Sequence, residues 1–479
     1  MLFNSLEFVL FLPLVFLLYW SLHRTLRWQN LFVVFASYVF YGWWDWRFLL
    51  LIALTTFSSY QSGKLIEKYE GNRMGQKSIC VTNIVLNIAI LAIFKYFNFF
   101  AENVVNLFHV LGWEADSFTI DVILPVGISF YTFQSIGYTI DVYQHRIKAN
   151  HNIVAFFAFV SFFPQLVAGP IERATHLLPQ FLQKRHFDYA RAVGGLRLIL
   201  WGFFKKMVIA DNCAIVVNSI FADYGSQSGI ELMLGAFLFA FQIYGDFSGY
   251  SDIAIGTARL FGIDLMRNFN YPYFSRNIVE FWRRWHISLT TWFRDYIYIP
   301  MGGNRGSKLK VMCNTLLVFG VSGIWHGANW TFICWGLYHA LLFVPFILFP
   351  SLRRKYDNSV NLEWKERCVI GLQTLVTFFL VMLGWVFFRS ESMGQAVDYL
   401  VRMCTQFELV MPLYGKRCVL WILVLLAVET LLQNQRHWQW LMESFLFKKR
   451  FCRWCIYYIL LIVILNFSAE KATFIYFQF

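Results

Sequence analysis

The chain has 479 residues, of which 58% are hydrophobic, 20% aromatic and only 14% charged. Soluble domains carry about 25% charged residues. With a mean hydropathy of +0.51, the composition therefore excludes a soluble globular enzyme, a disordered protein and a disulfide-rich secreted domain, and specifies a polytopic membrane protein. The net charge of +13 is read as topology, because Lys and Arg collect in cytoplasmic loops; with no basic domain and no nucleic-acid motif in view, no nucleic-acid partner is expected.

The first apolar run, Leu6 to Leu22, has no cationic segment before it and no small-residue cleavage site after it, so it reads as a helix rather than a signal peptide. Further runs lie near 31–44, 48–61, 79–100, 122–140, 153–169, 196–221, 231–247, 311–325, 328–350, 368–388, 418–432 and 454–467. At about 20 residues per span they predict roughly ten to twelve crossings, with the shorter ones re-entrant or tilted and buried in protein. Charges set an orientation. The segment before Leu6 lacks Lys and Arg and is placed outside; Arg24 and Arg27, then Lys64, Lys68, Arg73 and Lys77, are placed inside; the acidic stretch with Glu102, Glu114 and Asp116 is outside; Arg146 and Lys148 are inside. Lys448, Lys449, Arg450 and Arg453 mark a last inside loop, which puts the C-terminus outside. No repeat or linker breaks the chain, so residues 1–479 are read as a single domain.

Nine cysteines are scattered, mostly in apolar runs, and the lone C-x-x-C of Cys452 and Cys455 has no second pair or nearby His. It reads as juxtamembrane packing, and no metal is expected.

Ionisable residues are costly within a membrane, and this chain gathers them in its middle third. The stretch from Tyr244 to Leu265 sets Asp246, Asp252, Arg259 and Asp264 among glycines. It reads either as close helix packing with internal ion pairs or as the polar wall of a substrate cavity. From Asn277 to Tyr296, helical spacing puts Trp282, Trp285, Trp292 and Phe293 on one broad apolar face flanked by Arg283, Arg284 and Arg294, a pattern expected of an amphipathic or re-entrant helix at the cytoplasmic interface. His286 lies within it, and like charge from the neighbouring Arg residues is expected to keep its imidazole neutral. The Gly302–Gly306 loop, near Arg305, Lys308 and Lys310, reads as a turn or as a weak phosphate cradle.

The sharpest feature runs from Val321 to Ala340. His326 sits between two long apolar runs, with Gly323 and Gly327 around it and Trp325, Asn329 and Trp330 beside it. Neutral imidazole is the least costly titratable group at that depth and the natural general base near neutral pH. His339 lies thirteen residues on and need not share a face with it. The chain carries no H-x-x-x-D, H-E-x-x-H or G-x-S-x-G signature.

The stretches LPVGISFYTFQSIGYTIDVY, FFPQLVAGPIERATHLLPQF, YGDFSGYSDIAIG, NIVEFWRRWHISLTTWFRDYIYIPMGGNR and GIWHGANWTFICWGLYHA, spanning most of 124–340, resemble the membrane-bound O-acyltransferase (MBOAT) family, in its alginate O-acetyltransferase-like branch. The resemblance implies an all-α ring of about 10–12 transmembrane and re-entrant helices around a central tunnel, within a bacterial inner membrane. It maps the family's membrane-embedded His to His326 and its second position to His286. It implies acetyl-CoA as cytoplasmic donor, no tightly bound cofactor, and an extracytoplasmic polysaccharide acceptor reached through a periplasmic partner. Arg283, Arg284, Arg305 and Lys308 are then candidates to steer the CoA phosphates. A D-alanyl transferase for teichoic acid is the alternative inside the family; an exopolysaccharide transporter or a non-catalytic scaffold is the alternative outside it. The ending SAEKATFIYFQF, which contains the tail 469–479, reads as an aromatic interface anchor or, by resemblance to aromatic terminal motifs of such systems, as an acyl carrier whose acceptor is Tyr476.

Overall fold

The backbone follows the apolar periodicity. In the computed structural model, which describes residues 1–113, 116, 119–120, 124–167, 169–353, 364–408, 412, 414–433, 449–468 and 474–475, the regular structure is helical, with no strand among the described residues. The helices are α1 Leu6–Ser21, α2 Leu26–Gly42, α3 Phe48–Lys68, α4 Arg73–Lys95, α5 Phe97–Val110, α6 Ile128–Tyr143, α7 Ile153–Ser161, α8 Phe163–Leu166, α9 Ala174–Leu182, α10 Tyr189–Phe203, α11 Asp211–Ala222, α12 Gly229–Leu260, α13 Ile278–Arg284, α14 Ile287–Phe293, α15 Lys308–His326, α16 Trp330–Leu348, α17 Trp364–Arg389, α18 Met393–Thr405, α19 Lys416–Gln433 and α20 Arg450–Phe467. Among the described residues six are long and apolar enough to cross a membrane: α4, α12, α15, α16, α17 and α20. The chain is an all-helical, polytopic membrane protein. Of the most apolar stretch of α12, 72% is buried by the protein, against 6% for α20, so α12 is a core element and α20 presents its sides outward.

The contacts divide the chain into two compact units, one of residues 1–199 and 250–266, the other of 200–249 and 267–479. In the first, α3, α4, α6 and α7 pack around polar side chains that find one another. Asn83 Oδ1 accepts from Thr139 Oγ1 at 2.9 Å and from Ser59 Oγ at 3.3 Å, the interhelical hydrogen bonding that replaces the hydrophobic drive inside a bilayer. Gly127 starts α6 at φ 74°, where a Cβ would lie 2.4 Å from the Leu166 carbonyl oxygen; only glycine meets both demands. The predicted 153–169 run is broken into α7 and the four-residue α8, because Pro164 cannot donate a helical hydrogen bond. Asp264 pairs with Arg191 at 2.9 Å.

In the second unit the helix begun by α10 loosens into a π-helical segment, Phe204–Ala210, before continuing as α11. Gly245 and Gly249 of α12 lie against this segment: a Cβ on Gly245 would stand 3.0 Å from the Lys205 carbonyl oxygen, and one on Gly249 2.8 Å from that of Gly202. That approach sets Asp246 beside Lys206, whose Nζ lies 2.6 Å from Asp246 and 2.8 Å from Asp211. The ion-pair reading of the Asp246 stretch therefore holds at this residue.

Candidate active site

The site forms in the second unit from α13, α14, α15, α16 and α17. Helices α15 and α16 make a tight antiparallel pair. A Cβ on Gly323 would meet the Phe332 carbonyl oxygen at 2.4 Å, and one on Gly336 the Phe319 carbonyl oxygen at 2.3 Å. His326 ends α15, and Gly327 follows it in extended backbone. Asn329 opens α16 as its N-cap, its Oδ1 accepting from Thr331 N at 3.0 Å while its Nδ2 donates to the Glu391 carbonyl at 2.8 Å. Asn329, beside His326 in sequence, thus spends its amide on the turn.

His326 is 4% exposed. Its ring centroid lies 4.8 Å from that of Trp325, 4.9 Å from Trp335 and 5.3 Å from Phe388. His286, 1% exposed, approaches the same indole: its ring lies 6.1 Å from Trp325, and 4.6 Å from Phe247 on α12. The two imidazoles, forty residues apart in sequence, therefore both approach one tryptophan.

The expected single helix from 277 to 296 does not form. It is cut into α13 and α14 at His286, which adopts a left-handed backbone at φ 43°, a costly conformation for a residue with a Cβ. Asn268 holds the break, its carbonyl accepting from Ile287 N at 2.8 Å and its Oδ1 from Ser288 Oγ at 2.6 Å. Nor is the aromatic face interfacial: Trp282, Trp285, Trp292 and Phe293 are all buried. Neutrality of His286 also has another cause than the one expected, since burial pushes its pKa from 6.5 down to about 3, and the Arg neighbours are not what does it. The folded chain thus binds fewer protons here than the unfolded chain between those values, so the stability contributed is complete above about pH 6.5 and is lost as pH falls below it. We expect thermal melting of the detergent-solubilised protein to weaken from about pH 7 to about pH 4, and His286→Gln to make that fall shallower; an unchanged slope contradicts the assignment.

His339, set aside in the sequence, joins this cluster. Its ring is 5.2 Å from Trp335 and 5.1 Å from Trp282, and neither ring nitrogen hydrogen-bonds to a described residue. The signal available was the hairpin: a short turn at 327–329 folds α16 back along α15, so a thirteen-residue separation brings the two histidines onto one indole, that of Trp335.

The basic candidates are more dispersed. Arg284 is engaged by Glu280 at 2.5 Å, and Lys308 Nζ donates to the Leu348 carbonyl at 2.9 Å. Arg283 and Arg305 are exposed. In the Gly302–Gly306 loop the N–H groups of Gly302, Gly303 and Arg305 donate to the carbonyls of Ile299, Tyr298 and Gly302, as in a turn. In the tail, Phe474 and Ile475 are buried, 1% and 3% exposed, so at these two positions the ending is no interface anchor; Tyr476 lies outside the described residues, as do Glu114 and Lys448.

A sequence model of the MBOAT, membrane-bound O-acyltransferase, family matches residues 38–388, a span that contains His286, His326, His339 and Phe388. The chain belongs to the membrane-bound O-acyltransferase family. It is an acyltransferase, and the paired histidines of this MBOAT protein lie in the matched region. Among its relatives, the probable alginate O-acetylase of Pseudomonas aeruginosa is 40% identical over 397 residues, covering 83% of this chain and 73% of that protein. The peptidoglycan O-acetyltransferase of Helicobacter pylori is 36% identical over 432 residues, 84% and 79% of the two chains. The teichoic acid D-alanyltransferase of Bacillus subtilis is 28% identical over 279 residues, 56% and 69%.

Proposed function

We propose that this MBOAT protein O-acetylates an extracytoplasmic polysaccharide, drawing acetyl groups from acetyl-CoA on the cytoplasmic side of a bacterial inner membrane. The observation that carries the reading is the buried aromatic site in which His326 and His286 both approach Trp325. Its support comes from the relatives named for acetylating alginate and peptidoglycan, both of them glycans that offer hydroxyls. In the transfer, the acceptor oxygen bonds to the thioester carbonyl carbon, the carbon–sulfur bond breaks, and the hydroxyl proton passes through His326 to the leaving sulfur. His286, neutral through burial, orients donor or acceptor. Arg283, Arg284, Arg305 and Lys308 draw the anionic donor toward the cytoplasmic face.

The first acceptor in this proposal is the Tyr476 phenol, which passes the acetyl group to a periplasmic partner and so to the polymer, both chain termini being extracytoplasmic. Support comes from its sequence neighbours, since Phe474 packs on Phe247, centroids 6.2 Å apart, and Phe247 packs on His286. A phenol with an ordinary pKa near 10 needs a base to act as nucleophile. Membrane vesicles given isotopically labelled acetyl-CoA and acceptor polymer are expected to label both the polymer and the C-terminal peptide. Tyr476→Phe is expected to abolish both signals; full polymer labelling by that variant removes the carrier step.

A further inference from the structure

The C-terminal segment is held by a buried charge. Ile475 N donates to Asp246 Oδ2 at 2.7 Å, while Asp246 Oδ1 lies 2.6 Å from Lys206 Nζ. Lys206 in turn lies 2.8 Å from Asp211, and all three side chains are buried. Lys206 is thus shared between two buried carboxylates. A backbone N–H brought to a carboxylate makes a charge-assisted hydrogen bond, roughly twice as strong as a neutral one, and here it gives Asp246 a second donor beside Lys206.

A second tie comes from the same region. Asn212 Nδ2 donates to the carbonyl of Phe467, the last residue of α20, at 2.8 Å, and also to the carbonyls of Met207 at 3.2 Å and Val208 at 2.9 Å in the π-helical segment. A π-helical turn is rare and recurs at functional sites. Here it presents Lys206 to Asp246 and sits under Asn212, so it supports both anchors of the tail, one at Phe467 and one at Ile475.

We propose that Asp246, held by Lys206, is a positioning residue: it is the seat of the C-terminal segment, fixing Phe474 and Ile475 against the Phe247–His286 side of the active site. The seat stands on geometry alone; its importance for transfer rests on the carrier role given above to Tyr476, the next residue in sequence. The seat accounts for an acidic residue on α12, the most enclosed of the described spans, where an ion pair serving only packing is often replaceable by apolar side chains.

Hydrogen–deuterium exchange of the full-length protein in lipid nanodiscs reads the seat directly, because the Ile475 amide is the donor. In the wild type the C-terminal peptide is expected to be protected. Asp246→Ala, which leaves Lys206 neutralised by Asp211, is expected to speed exchange of that peptide by at least about tenfold, the effect of losing ~1.4 kcal/mol, with protection of α15 unchanged. Acetyl transfer falls with it while the KM for acetyl-CoA stays put. Asp246→Asn keeps an acceptor oxygen for Ile475 N and is expected to restore much of the protection. An unprotected tail in the wild type, or unaltered protection in Asp246→Ala, overturns the proposal. Should the seat behave as expected while Tyr476→Phe transfers normally, the carrier reading fails and the seat stands.

Discussion

His326→Ala is expected to lower acetyl transfer about 10²–10⁴-fold, the range that a positioned general base contributes, with normal membrane insertion and normal polymer export. The expectation rests on where the imidazole sits. It ends α15 and touches Trp325, Trp335 and Phe388, so alanine removes the basic group without breaking a helix. The surrounding rings lose packing, at a cost set by how far they relax into the space. Polymer acetylation is measured by NMR of the secreted glycan, and insertion by the yield of monodisperse protein in detergent. Loss of export with acetyl content unchanged indicates transport, and no change in either indicates a scaffold; both results contradict an acyltransferase working through His326.

Gly323→Ile is expected to destabilise the protein by more than about 3 kcal/mol, beyond the ~1–3 kcal/mol usual for overpacking. A Cβ at this position would stand 2.4 Å from the Phe332 carbonyl oxygen and 3.0 Å from its carbon. Those are backbone atoms of α16, so no side-chain rotation relieves the clash, and the two helices must part. Gly336 stands opposite, its own Cβ position 3.4 Å from Gly323 Cα, so the close approach depends on small residues on both helices. Because His326 lies one turn beyond Gly323, activity falls with stability. Thermal melting in detergent measures the effect, and a melting temperature within a few degrees of wild type contradicts the packing described. Gly371, whose Cβ would meet nothing within 4 Å, is the control: Gly371→Ala should melt like wild type.

Much of the protein was legible in its sequence because bilayer residence is written in local composition. The apolar runs near 311–325 and 328–350 became α15 and α16, and those near 418–432 and 454–467 became α19 and α20. Hydropathy is a property of a window, so neighbours along the chain suffice to read it. His326 stood out for the same reason, as an ionisable group between two such windows. The motifs from 124 to 340 carried the family, which the match over 38–388 established.

Local pattern failed where a distant residue decides the outcome. Helical spacing from 277 to 296 was intact, yet Asn268 supplies hydrogen bonds that stabilise a break at His286, and burial rather than neighbouring charge keeps that imidazole neutral. His339 was discounted for its spacing, although the hairpin places its ring against the tryptophan that His326 also touches. Nor does the aromatic pattern of the tail reveal that Asp246, 229 residues before Ile475, accepts its N–H. By itself the sequence determined the solvent, the helices and the chemistry available, since each follows from residue type and short-range periodicity. Only the tertiary structure decided which polar groups meet, because those meetings depend on backbone approaches between segments far apart in the chain, and periodicity along one helix carries no record of what packs against it.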